Sequence, residues 1–281
     1  MQIGLKRWSP LFVLPTLAAF TVAFIAPFLM GLYLSFCDFR TVTDATFVGL
    51  KNYMNIFSPE DTFFKSLLLT TLFAAISVIT INVFSFMLAI MLTKGIRGTN
   101  FFRTVFFMPN LIGGIVLGYI WQVIINGALS NYGYAITSKA EFGIAGLIVM
   151  MNWQMIGYMM VIYIAAIQNV PDDILEAARV DGAGKFRMLF SIIIPSVMPS
   201  ITICLFLTIT NSFKLFDQNL ALTAGAPAKQ TQLAALDIYN TFYGRTGFEG
   251  TGQAKAVIFF IIVAIIALLQ LKLTSSKEVE S

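Results

Sequence analysis

Six stretches of the sequence, residues 11–36, 67–92, 105–125, 143–167, 190–213 and 256–271, hold no Asp, Glu, Lys or Arg. Crossing a bilayer takes about 20 consecutive apolar residues, and in hydrocarbon the backbone must satisfy its own N–H and C=O groups. The last stretch is the shortest, and it lengthens if Lys272 snorkels and Leu273 extends the run. Only 11% of the residues are charged, against about 25% in soluble domains, so water could not wet such a chain. The pattern predicts an all-α polytopic membrane protein with six transmembrane helices. Pro195 and Pro199 fall inside the fifth stretch. In a membrane bundle, neighbouring groups re-satisfy the carbonyls that prolines free.

The first stretch follows a basic start at Lys6 and Arg7. A secretory leader has an apolar core of about 7–15 residues, whereas this run has 26 and no small-x-small site after it. It reads as a retained helix. An even number of spans puts both termini on one side. With both termini cytoplasmic, the inside segments (1–10, 94–104, 168–189 and 272–281) carry 10 Lys and Arg in 53 residues, while the outside ones (37–66, 126–142 and 214–255) carry 8 in 89. The denser side is expected in the cytoplasm.

Several functions are excluded or disfavoured. The chain has no His, and so lacks the side chain that ordinarily titrates near neutrality. Cys37 and Cys204 stand far apart in no metal spacing and read as small hydrophobes. The net charge of +4 comes without a basic run interleaved with aromatics, which argues against nucleic acid. Ion-coupled carriers usually keep an ionisable group within the membrane, and these spans have none. An intramembrane enzyme finds no paired carboxylates or metal cluster. No catalytic residue, metal or cofactor is expected. A self-contained carrier or channel is the rival from another class, and it would transport without a second polypeptide.

The most distinctive polar stretch is "EAARVDGAGKFRMLFSIIIP", Glu176 to Pro195. Pro171 and Asp172 open a helix there. Asp173 and Glu176 have the spacing of a capping box, and Gly182 is placed to end the helix in a left-handed turn. Ala177 and Ala178 leave a patch with little side-chain bulk, beside the apolar Leu175 and Val180. Such a helix is shaped either to be gripped by another protein or to lie on lipid headgroups, which Lys185, Phe186 and Arg187 would suit. It is not a phosphate loop. That motif needs G-x-x-x-x-G-K-[ST], and here Arg179 stands where its first glycine belongs and Phe186 follows the lysine.

This stretch resembles the cytoplasmic signature of bacterial ABC-importer permeases: E-A-A, three residues, G, nine residues, then I-x-L-P. Here it reads Glu176, Ala177, Ala178, Gly182, Ile192 and Pro195, with Ile194 where the family usually has Leu. "NWQMIGYMMVIYIAAIQNVPDDILEAARVDGAGKF", "SFKLFDQNLALTAGAP" and "FFRTVFFMPNLIGGIVLGYIW" are similar to the sugar-type permeases, nearest to the maltose-type group. The resemblance implies a type I importer transmembrane domain over 66–271, with a coupling helix at 171–183. An N-terminal helix and first outer loop (1–65) precede it, and a cytoplasmic tail (272–281) follows. It implies that Glu176, Ala177, Ala178, Asp181, Gly182 and Pro195 serve contact with a separate ATPase subunit. The implied partners are a second permease subunit, two ATPase subunits, an extracytoplasmic sugar-binding protein and a carbohydrate, in the bacterial cytoplasmic membrane.

An uncharged sugar needs hydrogen-bonding groups and flat aromatic faces, and polar groups are sparse in these spans. Asn110 stands early in the third, near Gly113 and Gly114. Asn152, Trp153, Gln154 and Tyr158 lie in the fourth, and Thr208, Asn211 and Ser212 in the fifth. With Leu215 these last three fall at i, i+3, i+4 and i+7, one helix face. By resemblance, Asn110, Gly114, Met155, Tyr158, Thr208, Asn211, Ser212 and Leu215 match sugar-contacting positions. Small and polar residues also hold membrane helices together, and Trp153 suits an interfacial anchor, so both readings stand. Lys214 and Asp217 read either as a charged gate or as a solvated ion pair. Glycerol phosphate or a polyamine is the alternative cargo, and either would call for charged residues lining the cavity.

Overall fold

The computed structural model describes residues 13–95 and 97–276. The basic start at Lys6 and Arg7 and the end of the tail lie outside them. The helices are α1 (Val13–Leu34), α2 (Lys51–Ile56), α3 (Phe63–Leu92), α4 (Thr99–Phe107), α5 (Gly114–Ser130), α6 (Ala140–Gln168), α7 (Asp172–Val180), α8 (Lys185–Ser196), α9 (Met198–Phe213), α10 (Asp217–Leu222), α11 (Ala234–Gly244) and α12 (Glu249–Ser275). Two short strands, β1 (Cys37–Asp38) and β2 (Thr46–Phe47), pair antiparallel with Cys37 opposite Phe47.

Among the described residues, four straight helices are long and apolar enough to cross a membrane: α1, α3, α6 and α12. They fall where the stretches 11–36, 67–92, 143–167 and 256–271 predict them. The other two expected spans are broken. The helical segments 99–111 and 114–130 meet at 104°, and α8 and α9 meet at 72°. The first break is an extended step at Ile112 and Gly113, with ψ of 128° and 142°, just beyond Pro109. The second is at Val197 between Pro195 and Pro199, after a wide π-helical turn over Leu189–Ile193. Each proline removes a donor and crowds the preceding turn, so the bundle tolerates these prolines as bends rather than within straight spans.

The contacts group the chain into two units. One comprises Met1–Phe63 and Ile238–Phe260. In it, the Asn52 side chain donates to the carbonyls of Ser35 (3.0 Å) and Cys37 (2.8 Å), pinning α2 to the hairpin. At the hairpin turn, the amides of Thr41 and Arg40 hold the Asp44 carboxyl below the usual carboxylate range. Lys255 is buried in α12. Its Nζ lies 2.8 Å from an Asp61 carboxylate oxygen and donates to Thr241 Oγ1 at 2.8 Å.

The other unit, Phe64–Asp237 with Ile261–Ser281, is built around α6. This helix is apolar over most of its surface, with Asn152 and Gln154 as polar exceptions, and glycines let neighbours reach its axis. The Phe106 carbonyl lies against Gly157, where any Cβ would collide with it. Beyond α9 the chain up to Asp237 is folded, with α10 and the start of α11 in it. Asn219 is fully buried. Its side-chain amide donates to the Thr231 carbonyl (2.9 Å), and its oxygen accepts from the Leu233 N–H (2.9 Å).

Candidate functional site

The break between α4 and α5 leaves backbone without helical partners, which at membrane depth is tolerated where it lines a cavity. A cavity of about 200 Å³ lies beside it. Gln154 of α6 donates through Nε2 to the Ile112 carbonyl (3.4 Å), and Gln218 of α10 donates to Gln154 Oε1 (3.0 Å). Asn110, on the 3₁₀ turn before the break, and Asn211, near the end of α9, add two more amides to the lining. Met151, Met155 and Leu215 supply apolar surface, and Lys214 also faces in. The lining thus joins several hydrogen-bond donors and acceptors, one cation and no carboxylate.

Of the residues expected at a substrate site, Asn110, Gln154, Met155, Asn211 and Leu215 are brought together here. The others sit elsewhere. Gly114 packs against α10, since a Cβ there would lie 2.8 Å from that of Asp217, and Gly118 likewise admits Ala221. Thr208 is fully buried, donates to the Cys204 carbonyl (2.6 Å) and accepts from Asn82 Nδ2 (3.2 Å). Asn82 Oδ1 in turn accepts from the Tyr163 hydroxyl (2.6 Å). Ser212 is also fully buried and bonds back to the Thr208 carbonyl (2.7 Å). Asn152 donates to the Ile148 carbonyl of its own helix (2.8 Å). Trp153 meets Trp121 edge-to-face, with centroids 5.7 Å apart, and the Tyr158 ring lies 6.4 Å from that of Phe107.

Sequence reasoning left Met151 and Gln218 out of the site, and it read Lys214 either as part of a charged gate or as half of a solvated ion pair. The structure places Lys214 in the lining. No periodic signal in the sequence marks them. Asn211 stands in the last turn of α9, Lys214 and Leu215 just past its end and Gln218 in α10, so the chain's turn after Phe213, rather than one helical period, brings them together.

Helix α7 carries no buried residue. It starts at Asp172 behind Pro171, and no side chain caps it, so the expected box between Asp173 and Glu176 does not form. Instead Asp172 and Asp173 lie in the first turn, where carboxylates favour the helix dipole. Its end is as expected. Gly182 has φ +76°, the Ala183 N–H bonds to the Ala178 carbonyl (2.9 Å) and the Gly182 N–H to that of Arg179 (3.1 Å), which together make a Schellman motif. Glu176, Ala177, Asp181 and Gly182 are exposed and Ala178 is half-buried. Pro195 sits apart from them, at the α8–α9 bend. Cys37 and Cys204 are buried free thiols.

A family model described as binding-protein-dependent transport system inner membrane component matches residues 81–276. The probable starch degradation products transport system permease protein AmyD of Thermoanaerobacterium thermosulfurigenes is 42% identical, over 97% of this chain and 96% of that protein. The multiple sugar-binding transport system permease protein MsmF of Streptococcus mutans is 29% identical, over 98% and 97%. Among solved structures, a chain of a bacterial ABC transporter involved in import of the acidic polysaccharide alginate superposes with TM-score 0.83 over 98% of both chains, at 19% identity.

Proposed function

The chain belongs to the binding-protein-dependent transport system inner membrane components, and from that premise we propose that it carries an oligosaccharide inward as one permease subunit of an ATP-driven importer. In this reading each bent pair is one span, giving six spans with both termini cytoplasmic. A second, related permease completes the translocation path, and an extracytoplasmic binding protein delivers the sugar. Two ATPase subunits supply the energy, and one of them grips α7. Glu176 and Asp181 meet the ATPase surface, Ala177 and Ala178 allow close approach, and Gly182 turns the chain back toward α8. Pro195 bends the span above it, so that a push on α7 is passed on as a rigid-body movement.

The observation that carries the proposal is the cavity at the broken helix. Asn110, Gln154, Asn211 and Gln218 offer the donors and acceptors that sugar hydroxyls require, and Met151, Met155 and Leu215 offer apolar surface to the faces of the ring. A volume of about 200 Å³ is below the roughly 300 Å³ at which small-molecule sites begin, which suits half of a site completed by a partner. The relatives named for starch products and for multiple sugars support a starch-derived glucose oligomer as the cargo.

Lys214 favours a second reading, in which the solute bears an anionic group such as a phosphate ester. The discriminating experiment is uptake by the reconstituted complex, with its binding protein, of a labelled neutral malto-oligosaccharide, in the native chain and in Lys214→Met. For a neutral cargo the substitution changes uptake by no more than about fivefold, the scale of one hydrogen bond between membrane helices. If the neutral sugar is not carried, while a sugar phosphate is and loses its uptake in Lys214→Met, the second reading replaces the first.

A further inference from the structure

A second cavity, of about 490 Å³, lies where α3 ends and α8 begins, beside the last turn of α7. Its lining joins Lys94, Arg179 and Lys185 to an apolar wall that includes Ile90, Phe186 and Leu189. No acidic side chain lines it. All three cations are exposed, and the Phe186 ring is 80% exposed. Met87 and Met91, close to Ile90 along α3, are 52% and 51% exposed. A groove that opens onto a bare apolar helix surface faces acyl chains more readily than water.

Three cations joined to an apolar wall match an anionic amphiphile. A phosphodiester meets the lysine and arginine nitrogens, and its chain follows the wall. We propose that this groove seats one anionic phospholipid from the leaflet on the α7 side. Under the importer reading that leaflet is the cytoplasmic one, but the groove itself does not depend on that reading. A free phosphate would satisfy the cations and leave Phe186 and Ile90 uncovered. The site also gives Lys185 and Phe186 a role that gripping of α7 does not need. A headgroup bound to both Arg179 and Lys185 would brace the turn at Gly182 against the end of α3.

The test is native mass spectrometry of the full chain, purified with whatever subunits accompany it, after exchange into phosphatidylglycerol, phosphatidylcholine or inorganic phosphate. The native chain is expected to retain one phosphatidylglycerol in preference to phosphatidylcholine. The double substitution Lys94→Gln with Lys185→Gln should lower that retention at least about tenfold, given the worth of each basic residue beside an anionic lipid. Should the double variant not fold, Phe186→Asn carries the test, because it removes the apolar wall, spares the cations and should also weaken retention. Equal retention of the two lipids, or unchanged retention in both variants, overturns the proposal. So does displacement of the lipid by inorganic phosphate, or crosslinking of Phe186→Cys to another subunit in native membranes, which would make the groove a protein interface. None of these readouts measures transport, so failure here leaves the importer reading standing.

Discussion

Helices α6 and α7 are neighbours in the chain, with three residues between them, and they have opposite surroundings. In α6, twelve of 29 residues are buried, among them Gly143, Gly146 and Gly157, and its neighbours press on its backbone. In α7 none of nine is buried, although it ends in a fully bonded turn and carries adjacent alanines. Small residues thus stand for two different things. In α6 the space they leave is already filled by this chain, by the Thr231 side chain at Gly143, the Ile136 side chain at Gly146 and the Phe106 carbonyl at Gly157. In α7 the space they leave is open, and the proposed ATPase contact would fill it. Substitutions in the first should break the permease, and substitutions in the second should leave it intact and idle.

The largest expected effect tests the filled side. Gly157→Val sets a branched side chain against the Phe106 carbonyl. Overpacking costs about 1–3 kcal/mol when side chains can yield, and more when they cannot, and a backbone carbonyl yields little. The monodisperse fraction in detergent should fall to a small remainder, whereas a native-like yield would mean that α4 is not held against α6. Next is Gly182→Val. A left-handed conformation costs a residue with a Cβ about 1–2 kcal/mol, a factor of about 5–30. Because the turn is exposed, the protein should purify normally while ATP-dependent uptake drops by about that factor. A parallel loss of folded protein would erase the contrast between the two helices. The smallest effect is expected for Val180→Ser at the end of α7, where the valine is 87% exposed. Its melting temperature should stay within the equivalent of about 0.5 kcal/mol, while recovery of the ATPase subunits on co-purification falls a few-fold. If recovery does not change, the ATPase does not cover that end of the helix.

Much of this was legible in the amino-acid order. Uninterrupted apolar runs read as helices whatever their surroundings, and four of them are unbroken helices that contain or nearly match the expected stretches. The end of α7 was legible because glycine at one position, with its neighbours' backbone bonds, defines a local motif. Its start was not. A capping box and an aspartate-rich first turn share a composition, and geometry chose the second. Prolines marked the fifth span as irregular without giving the angle. The third span hid its break, because a Pro and a Gly pair in an apolar run fit a gentle kink as well as a 104° turn. Which polar residues of the fifth run line the cavity was not legible, because polar residues in lipid can serve packing and cavity alike. Thr208 and Ser212 turned inward onto Asn82 and the α9 backbone, and Asn211 turned to the cavity.

The order of residues by itself determined that this chain lives in a membrane as helices, and that it holds one exposed, small-faced helix with a glycine turn. Those properties depend on hydrocarbon solvation and on bonds between residues close in sequence. Only the tertiary structure decided where two apolar runs bend, that Gln154 serves the Ile112 carbonyl opened by one bend, and that Lys214 and Gln218 join the cavity while Thr208 does not. These outcomes depend on which distant segment fills the space beside each residue, and neither hydropathy nor helical period encodes that.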